Sequence, residues 1–327
     1  MKMVIVAVLC GLLMGAEEFV PKVAKDVYLD PKDAGLEYKM QGEYAGELLG
    51  KDGGMKKIAA QVVAMGNGKF RAVMMEGGLP SEGWDGKSRL ELQGKLDGVE
   101  VTLGGEEDVY HGKISAGIFA GETKAGERFS LMRVERKSRT LAAKPPEGAI
   151  VLFDGEKSDE LVDVKVGGHK MLFAGARTKR PFTDFKLHAE FLVPFMPTGK
   201  MESRGNSGIY IQDRYEIQIL DSFGQKPAAN ECGGVYRQIA PTLNMSFPPL
   251  VWQTFDIDFT SAKWEGDKKI KNAVVSLRHN GVLVHDRVEI KNKTGQGKPE
   301  GPQPLPIYFQ FHGDPIYFRN LWIVESK

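Results

Sequence analysis

Cysteine is almost absent from this 327-residue chain, which has only Cys10 and Cys232. Removal of an N-terminal leader would take Cys10 away, so no internal disulfide is expected and a large apolar core must supply stability instead. Excess charge is missing too: 44 basic against 43 acidic side chains leave a net charge of +1. That balance gives no electrostatic case for nucleic acid or for an anionic membrane surface as partner. No apolar run reaches the about 20 residues that a membrane-spanning helix needs. Among 6 histidines, none forms the close helical pair of a zinc site, so no metal or other cofactor is read from spacing. A divalent ion gathered from distant strands by Glu216, Asp221 and His312 would leave no such spacing and stays open. No Gly-x-Ser-x-Gly elbow and no phosphate-loop glycine pattern occur, which argues against a serine nucleophile and against nucleotide binding.

What the chain does have is glycine, 39 residues of it, and 9% aromatics, a composition suited to a turn-rich β protein. Residues 1–16 have the form of an export signal: Lys2, an apolar run from Met3 to Met14, then small Gly15 and Ala16. A periplasmic or secreted location is the expectation, with no membrane attachment after cleavage. Residues 17–143 read as a small antiparallel β domain behind an N-terminal arm. Turns at Gly53-Gly54, Gly66-Asn67-Gly68, Gly77-Gly78, Asp97-Gly98 and Gly104-Gly105 separate short alternating runs, the pattern of a meander or barrel. Trp84 sits in a long loop, where a residue that pins its own loop is favoured over a sugar-stacking platform. Nothing identifies a protein partner for this half. Lys144-Pro145-Pro146-Glu147-Gly148 is a proline-stiffened linker, and residues 144–327 form a second domain.

That second half is organised around Arg204 to Asp221, two alternating runs about a short turn. A two-residue loop would bury Glu216 among isoleucines. A three-residue loop or a bulge instead places Asn206, Tyr210, Gln212, Glu216 and Gln218 on one polar face over an apolar one, and this register is preferred. A carboxylate flanked by amides and a phenol suits sugar hydroxyls better than it suits a merely solvated face. Phe185, Leu187, Ala189 and Phe191 alternate toward a core, leaving Lys186, His188 and Glu190 outward. Phe255, Ile257 and Phe259 repeat the pattern, and Asn280-Gly281 marks a tight hairpin. Ile307, Phe309 and Phe311 point inward, with Tyr308, Gln310 and His312 on the other side. The whole is all-β: a two-sheet jelly-roll sandwich preceded by the smaller antiparallel domain.

Glu216 and His312 are the candidate catalytic groups. A mid-strand carboxylate is costly unless something uses or satisfies it, the plain alternative being an ion pair with Arg204 or Arg237. A histidine on the polar face can exchange protons near neutral pH; its plain alternative is a structural imidazole. Arg204, Asn206, Tyr210, Gln218, Asp221, Tyr236 and Gln310 are the candidate substrate-binding residues, with a turn cap the competing role for Asp221. His279 reads as structural, His169 as a loop residue able to reach a ligand, and His111, His188 and His285 as surface.

Several stretches then carry a family likeness: Val151-Leu-Phe-Asp-Gly155, Gly167-Gly-His169, Gly205-Asn-Ser-Gly-Ile-Tyr210, Tyr215 to Ser222, Trp252-Gln-Thr-Phe-Asp256 and His312 to Ile323. Together they resemble the 3-keto-disaccharide hydrolase domain, a concanavalin-like fold, over roughly residues 146–326. Phe311 stands where members often carry Asp, and Lys170 where Trp commonly follows the Gly-Gly-His. The resemblance implies an oligosaccharide or glycoside substrate oxidised at C3. Removal of the C2 proton would give an enolate, the C1 substituent would leave, and water would add. Two other readings stay open: an ordinary glycosidase with paired carboxylates about 5–5.5 Å or about 6.5–9.5 Å apart, and a lectin-like module that binds glycans without turnover.

Overall fold

A computed structural model describes residues 19–105, 108–156 and 158–326, so the leader segment lies outside the described residues. The N-terminal part is a closed antiparallel barrel whose eight strands pair in chain order. They are Gly42–Leu49, Met55–Ala64, Lys69–Glu76, Leu90–Asp97, Glu100–Leu103, Tyr110–Ser115, Ile118–Thr123 and Arg128–Val134, the last closing on the first. Closure follows from strand alternation: Tyr44, Val62, Phe70, Leu103, Phe119 and Leu131 point to a common interior, and a closed sheet has no exposed edge. Trp84 pins its own loop as expected, its indole N–H donating to the Ser88 carbonyl at 2.6 Å.

The C-terminal part is a sandwich. One sheet has five strands in the order Leu161–Val162, Arg177–Thr178, Tyr308–Phe309, Ser207–Ile211, Tyr215–Ile219. The facing sheet has eight, with Tyr317–Glu325, Phe185–Leu192, Gln253–Thr260 and Ala273–His279 adjacent at its centre. Both inner faces fill one core: Ile209, Ile217 and Phe309 from the first sheet meet Phe185, Leu187, Phe255, Ile257, Leu277 and Phe318 from the second. Asn280 and Gly281 form the two-residue turn, at φ 52° and 79°, with His279 paired to Val282 across it. Cys232 is sealed in this core without a disulfide partner, and burial pushes its thiol up to about 12.

Three expectations give way here. The strand carrying Phe309 stops there, so Phe311 is released from the core, half exposed, and rests against Phe173 at 5.4 Å between ring centroids. His285 is buried and bonded through Nε2 to the Gly233 carbonyl at 2.8 Å. His188 does leave its strand on the outer face, yet it is fully buried, because the chain between barrel and sandwich covers it.

That connecting segment is bonded along its length. Arg136 reaches Glu43 in the barrel at 2.7 Å, Thr140 donates to Asp256 at 2.7 Å, and the Ala143 carbonyl accepts from Asn320 at 3.0 Å. At the centre is Glu190, which accepts from the Ala142 N–H at 2.5 Å, Asn320 at 2.9 Å and Arg319 at 2.7 Å. Burial works to raise the Glu190 pKa, but these donors and His188 outweigh it and hold the carboxyl at about 2. Its contribution is present above the ordinary 4.5 and is lost as pH falls toward about 2. Glu190→Ala should strip three donors of their acceptor and cost roughly 3–5 kcal/mol in chemical denaturation at pH 7. That deficit should shrink as the pH is lowered through the same window.

Candidate active site

The strands Ser207–Ile211 and Tyr215–Ile219 are joined by the three residues Gln212, Asp213 and Arg214, and their register sets Gly208 against Gln218 and Tyr210 against Glu216. Ile209, Ile211, Tyr215, Ile217 and Ile219 enter the core. Tyr210, Glu216 and Gln218 therefore share the opposite face. Gln212, expected with them, belongs to the loop at φ 51° and instead donates to the Phe182 carbonyl at 2.9 Å and Ser261 Oγ at 2.7 Å. Beyond the neighbouring Tyr308–Phe309 strand, the chain continues as Gln310 and His312, and the Gln310 N–H donates to the Gly208 carbonyl at 2.9 Å.

Over this face lies a polar cleft of about 370 Å³. Glu216 and His312 both line it, as do Asn206, Tyr210, Gln218, Tyr236 and Gln310. Arg204 and Asp221 are not part of the lining. They are buried and bonded to each other, Nε to Oδ2 at 2.6 Å, and Asp221 Oδ1 also accepts from the Phe223 N–H at 3.3 Å. These two residues hold chain to chain. Glu202, Arg237, Gly295 and Gln296 complete the lining. Their segments are irregular, and no alternation marks them in the sequence; the glycine-flanked Gln296 is the nearest thing to a signal.

Glu216 is 3% exposed, and its Oε2 accepts from the Tyr210 hydroxyl at 2.7 Å. With the Gln218 amide oriented to suit its neighbours, that side chain donates to Glu216 Oε1 at 3.3 Å and to the Ser207 carbonyl at 2.8 Å. No cation forms an ion pair with Glu216 among the described residues. Burial therefore dominates and pushes its carboxyl from 4.5 up to about 7, the Tyr210 bond opposing, Glu202 adding to the rise and Arg237 drawing it down. Burial beside Glu216 also raises the Tyr210 phenol, which keeps it a donor. Gln310 lines the cleft, and its buried Oε1 finds no hydrogen-bond partner among the described residues. The Tyr236 hydroxyl donates to Glu202 Oε1 at 3.1 Å, and the Arg237 guanidinium lies 5.1 Å from the Tyr236 ring centroid. No three His, Cys, Asp or Glu side chains among the described residues gather as a metal site.

Two glycines make room for the carboxyl. A Cβ on Gly208 would lie 2.7 Å from Glu216 Oε1, and one on Gly295, at φ +42°, would lie 3.0 Å from both Glu216 Oε2 and the Tyr210 hydroxyl.

A family model described as the 3-keto-alpha-glucoside-1,2-lyase-like domain matches residues 147–324. The chain belongs to that family. A crystal structure from Parabacteroides distasonis ATCC 8503, provisionally described as a glycosyl hydrolase, is 32% identical, with a TM-score of 0.51 over 55% of this chain and 85% of its own. Another from the same organism, given the same description, is 16% identical with a TM-score of 0.41, over 55% and 95% of the two chains. No curated protein matches. This member of the lyase-like family is thus a carbohydrate-active protein. The cleft and every lining residue fall inside the matched region; the barrel falls outside it.

The Glu216 carboxyl couples stability to pH. Below pH 4.5 it is protonated in folded and unfolded chains alike; between 4.5 and about 7 only the unfolded chain ionises, so stability falls as pH rises through that window. Glu216→Gln, which stays neutral, should match the parent in chemical denaturation at pH 4. At pH 8 it should be more stable by about 3 kcal/mol. Gly208→Ala, by contrast, should displace the carboxyl and weaken sugar binding in calorimetric titration while leaving the β signature in circular dichroism.

Proposed function

We propose that this cleft cleaves glycosides carrying a ketone at C3 of the ring. The ketone acidifies the hydrogen on C2, a base removes it, and the electron pair is held on the C3 oxygen as an enolate. The pair then returns to form the C1–C2 double bond as the C1 oxygen substituent leaves with a proton. Addition of water at C1 completes net hydrolysis. Such a route needs a proton acceptor, a proton donor and a positive or hydrogen-bonding group for the enolate, but no carboxylate nucleophile.

The observation that carries this reading is the Glu216 carboxyl, buried in a polar cleft and held at about 7. At that value either protonation state is accessible near neutral pH, which is what a group that both takes and returns a proton requires. In this assignment Glu216 and His312 share the acid and base roles. Arg237 is the cation beside the enolate, a place Arg204 cannot take from its buried pair with Asp221. Asn206, Gln218, Tyr236 and Gln310 position the hydroxyls. The family description, with its 1,2-lyase chemistry, supports the elimination step. The leader at residues 1–16 supports export to the periplasm or beyond.

One feature favours a second reading. Glu202 and Glu216 line the same cleft, as an ordinary glycosidase pair would. The two are separated by incubating purified protein with a 3-keto glucoside and with its unoxidised parent, with and without a chelator. Turnover of the keto sugar alone is expected; turnover of the parent would favour the carboxylate pair, and saturable binding without turnover of either would leave a glycan-binding module. Glu216→Gln should lower the keto-sugar rate by ~10²–10⁴-fold while binding remains measurable, and a near-full rate would reduce Glu216 to a structural role.

A further inference from the structure

We propose that the N-terminal barrel is part of the sugar-binding machinery, with Arg204 as the positioning residue that ties it to the wall of the cleft. The cleft residues Glu202 and Asn206 sit on an irregular stretch whose one regular piece is the short turn Met201–Ser203. Such a stretch has no strand ladder to fix it, so its position must come from what it is packed against. The Asn206 amide donates to the Glu202 carbonyl at 2.9 Å, which makes the two cleft residues one unit.

Between them, Arg204 is 6% exposed and reaches three parts of the molecule. Its Nε donates to Asp221 just past the Tyr215–Ile219 strand at 2.6 Å, and the Asp221 N–H donates back to the Arg204 carbonyl at 3.0 Å. Its Nη1 donates to the Ala64 carbonyl, the last residue of a barrel strand, at 3.1 Å, and to Pro197 on its own loop at 3.3 Å. Two residues along the barrel, Gly66 presses on the same loop: a Cβ there would lie 2.7 Å from Thr198 Cγ2 and 3.2 Å from the Pro197 carbonyl carbon, at φ +75°. Phe195, just before the loop, packs into the barrel's own core cluster and exchanges backbone hydrogen bonds with Tyr28 at 3.0 Å. The barrel side of these contacts lies outside residues 147–324, so membership of the lyase-like family does not account for them. The loop that carries Glu202 is tied to the barrel by its own Arg204 guanidinium, which the Ala64 carbonyl accepts, and meets there a glycine that leaves room for it.

The role in sugar binding rests on the reading given above, and the test separates the two. Full-length Arg204→Met and Gly66→Ala are compared with the parent for KM and kcat on a 3-keto glucoside. The Glu216 carboxyl is followed in parallel by carbon NMR of protein labelled at glutamate, its charged and titratable neighbours being Tyr210, Glu202, Tyr236, Arg237 and His312. Both variants, folded by circular dichroism, should raise KM by about tenfold or more and lower the Glu216 midpoint as the Glu202 charge recedes. Folded Gly66→Ala with the parent's KM and midpoint would overturn the proposal. Should Arg204→Met fail to fold, Gly66→Ala decides alone, since its side chain touches neither core nor cleft. Should the parent not turn over the keto sugar, the catalytic reading falls and the titration still reports whether the barrel positions Glu202.

Discussion

Tyr210 and Glu216 stand opposite each other because three residues, and not two, turn the chain between Ile211 and Tyr215. A shift of one residue would exchange the two faces and put the carboxyl among isoleucines. The loop is fixed from several sides. Asp213 is paired with Arg177 at 3.0 Å and Lys298 at 2.8 Å, and Arg214 donates to the carbonyls of Pro299 and Gln303, each at 2.9 Å. The same loop accepts backbone bonds from Thr294 and Lys298 at 2.9 and 2.7 Å, which brings Gly295 and Gln296 over the carboxyl. Register below the site and cover above it thus have a common anchor.

Much of this was legible in the alternation of residues. The polar face of the hairpin, the apolar face beneath it, the tight turn at Asn280-Gly281 and the two-layer sandwich all follow from period-two patterning. What alternation cannot give is the company a side chain keeps. His188 leaves the outer face of its strand as the pattern says, but the covering chain comes from a segment more than 40 residues earlier, at the boundary before the proline-stiffened linker, where nothing in the sequence says what it will pack against. Arg204 and Asp221 have the chemistry of sugar ligands, yet they are paired with each other outside the cleft lining. Glu202, Arg237 and Gln296 reach the cleft from irregular backbone, where no periodicity speaks for them.

The sandwich is occupied on both outward faces. One sheet carries the cleft; on the other, Glu190, Asp256 and Asn320 receive the segment that leads back to the barrel. Buried polar groups of this sort cost stability unless all are bonded, and here they are bonded to residues far apart in the chain. Barrel and sandwich are joined in this way by the segment at Arg136–Ala143, by the loop at Arg204 and, among other contacts, by Arg89 donating to the Gly224 carbonyl.

Cys232 adds a practical consequence. A sulfur with no exposed surface and its ionisation pushed up to about 12 is inert toward oxidants and thiol reagents while the sandwich is closed. It can react only when the layers part, so the rate of its labelling measures how often this half of the molecule opens as a whole.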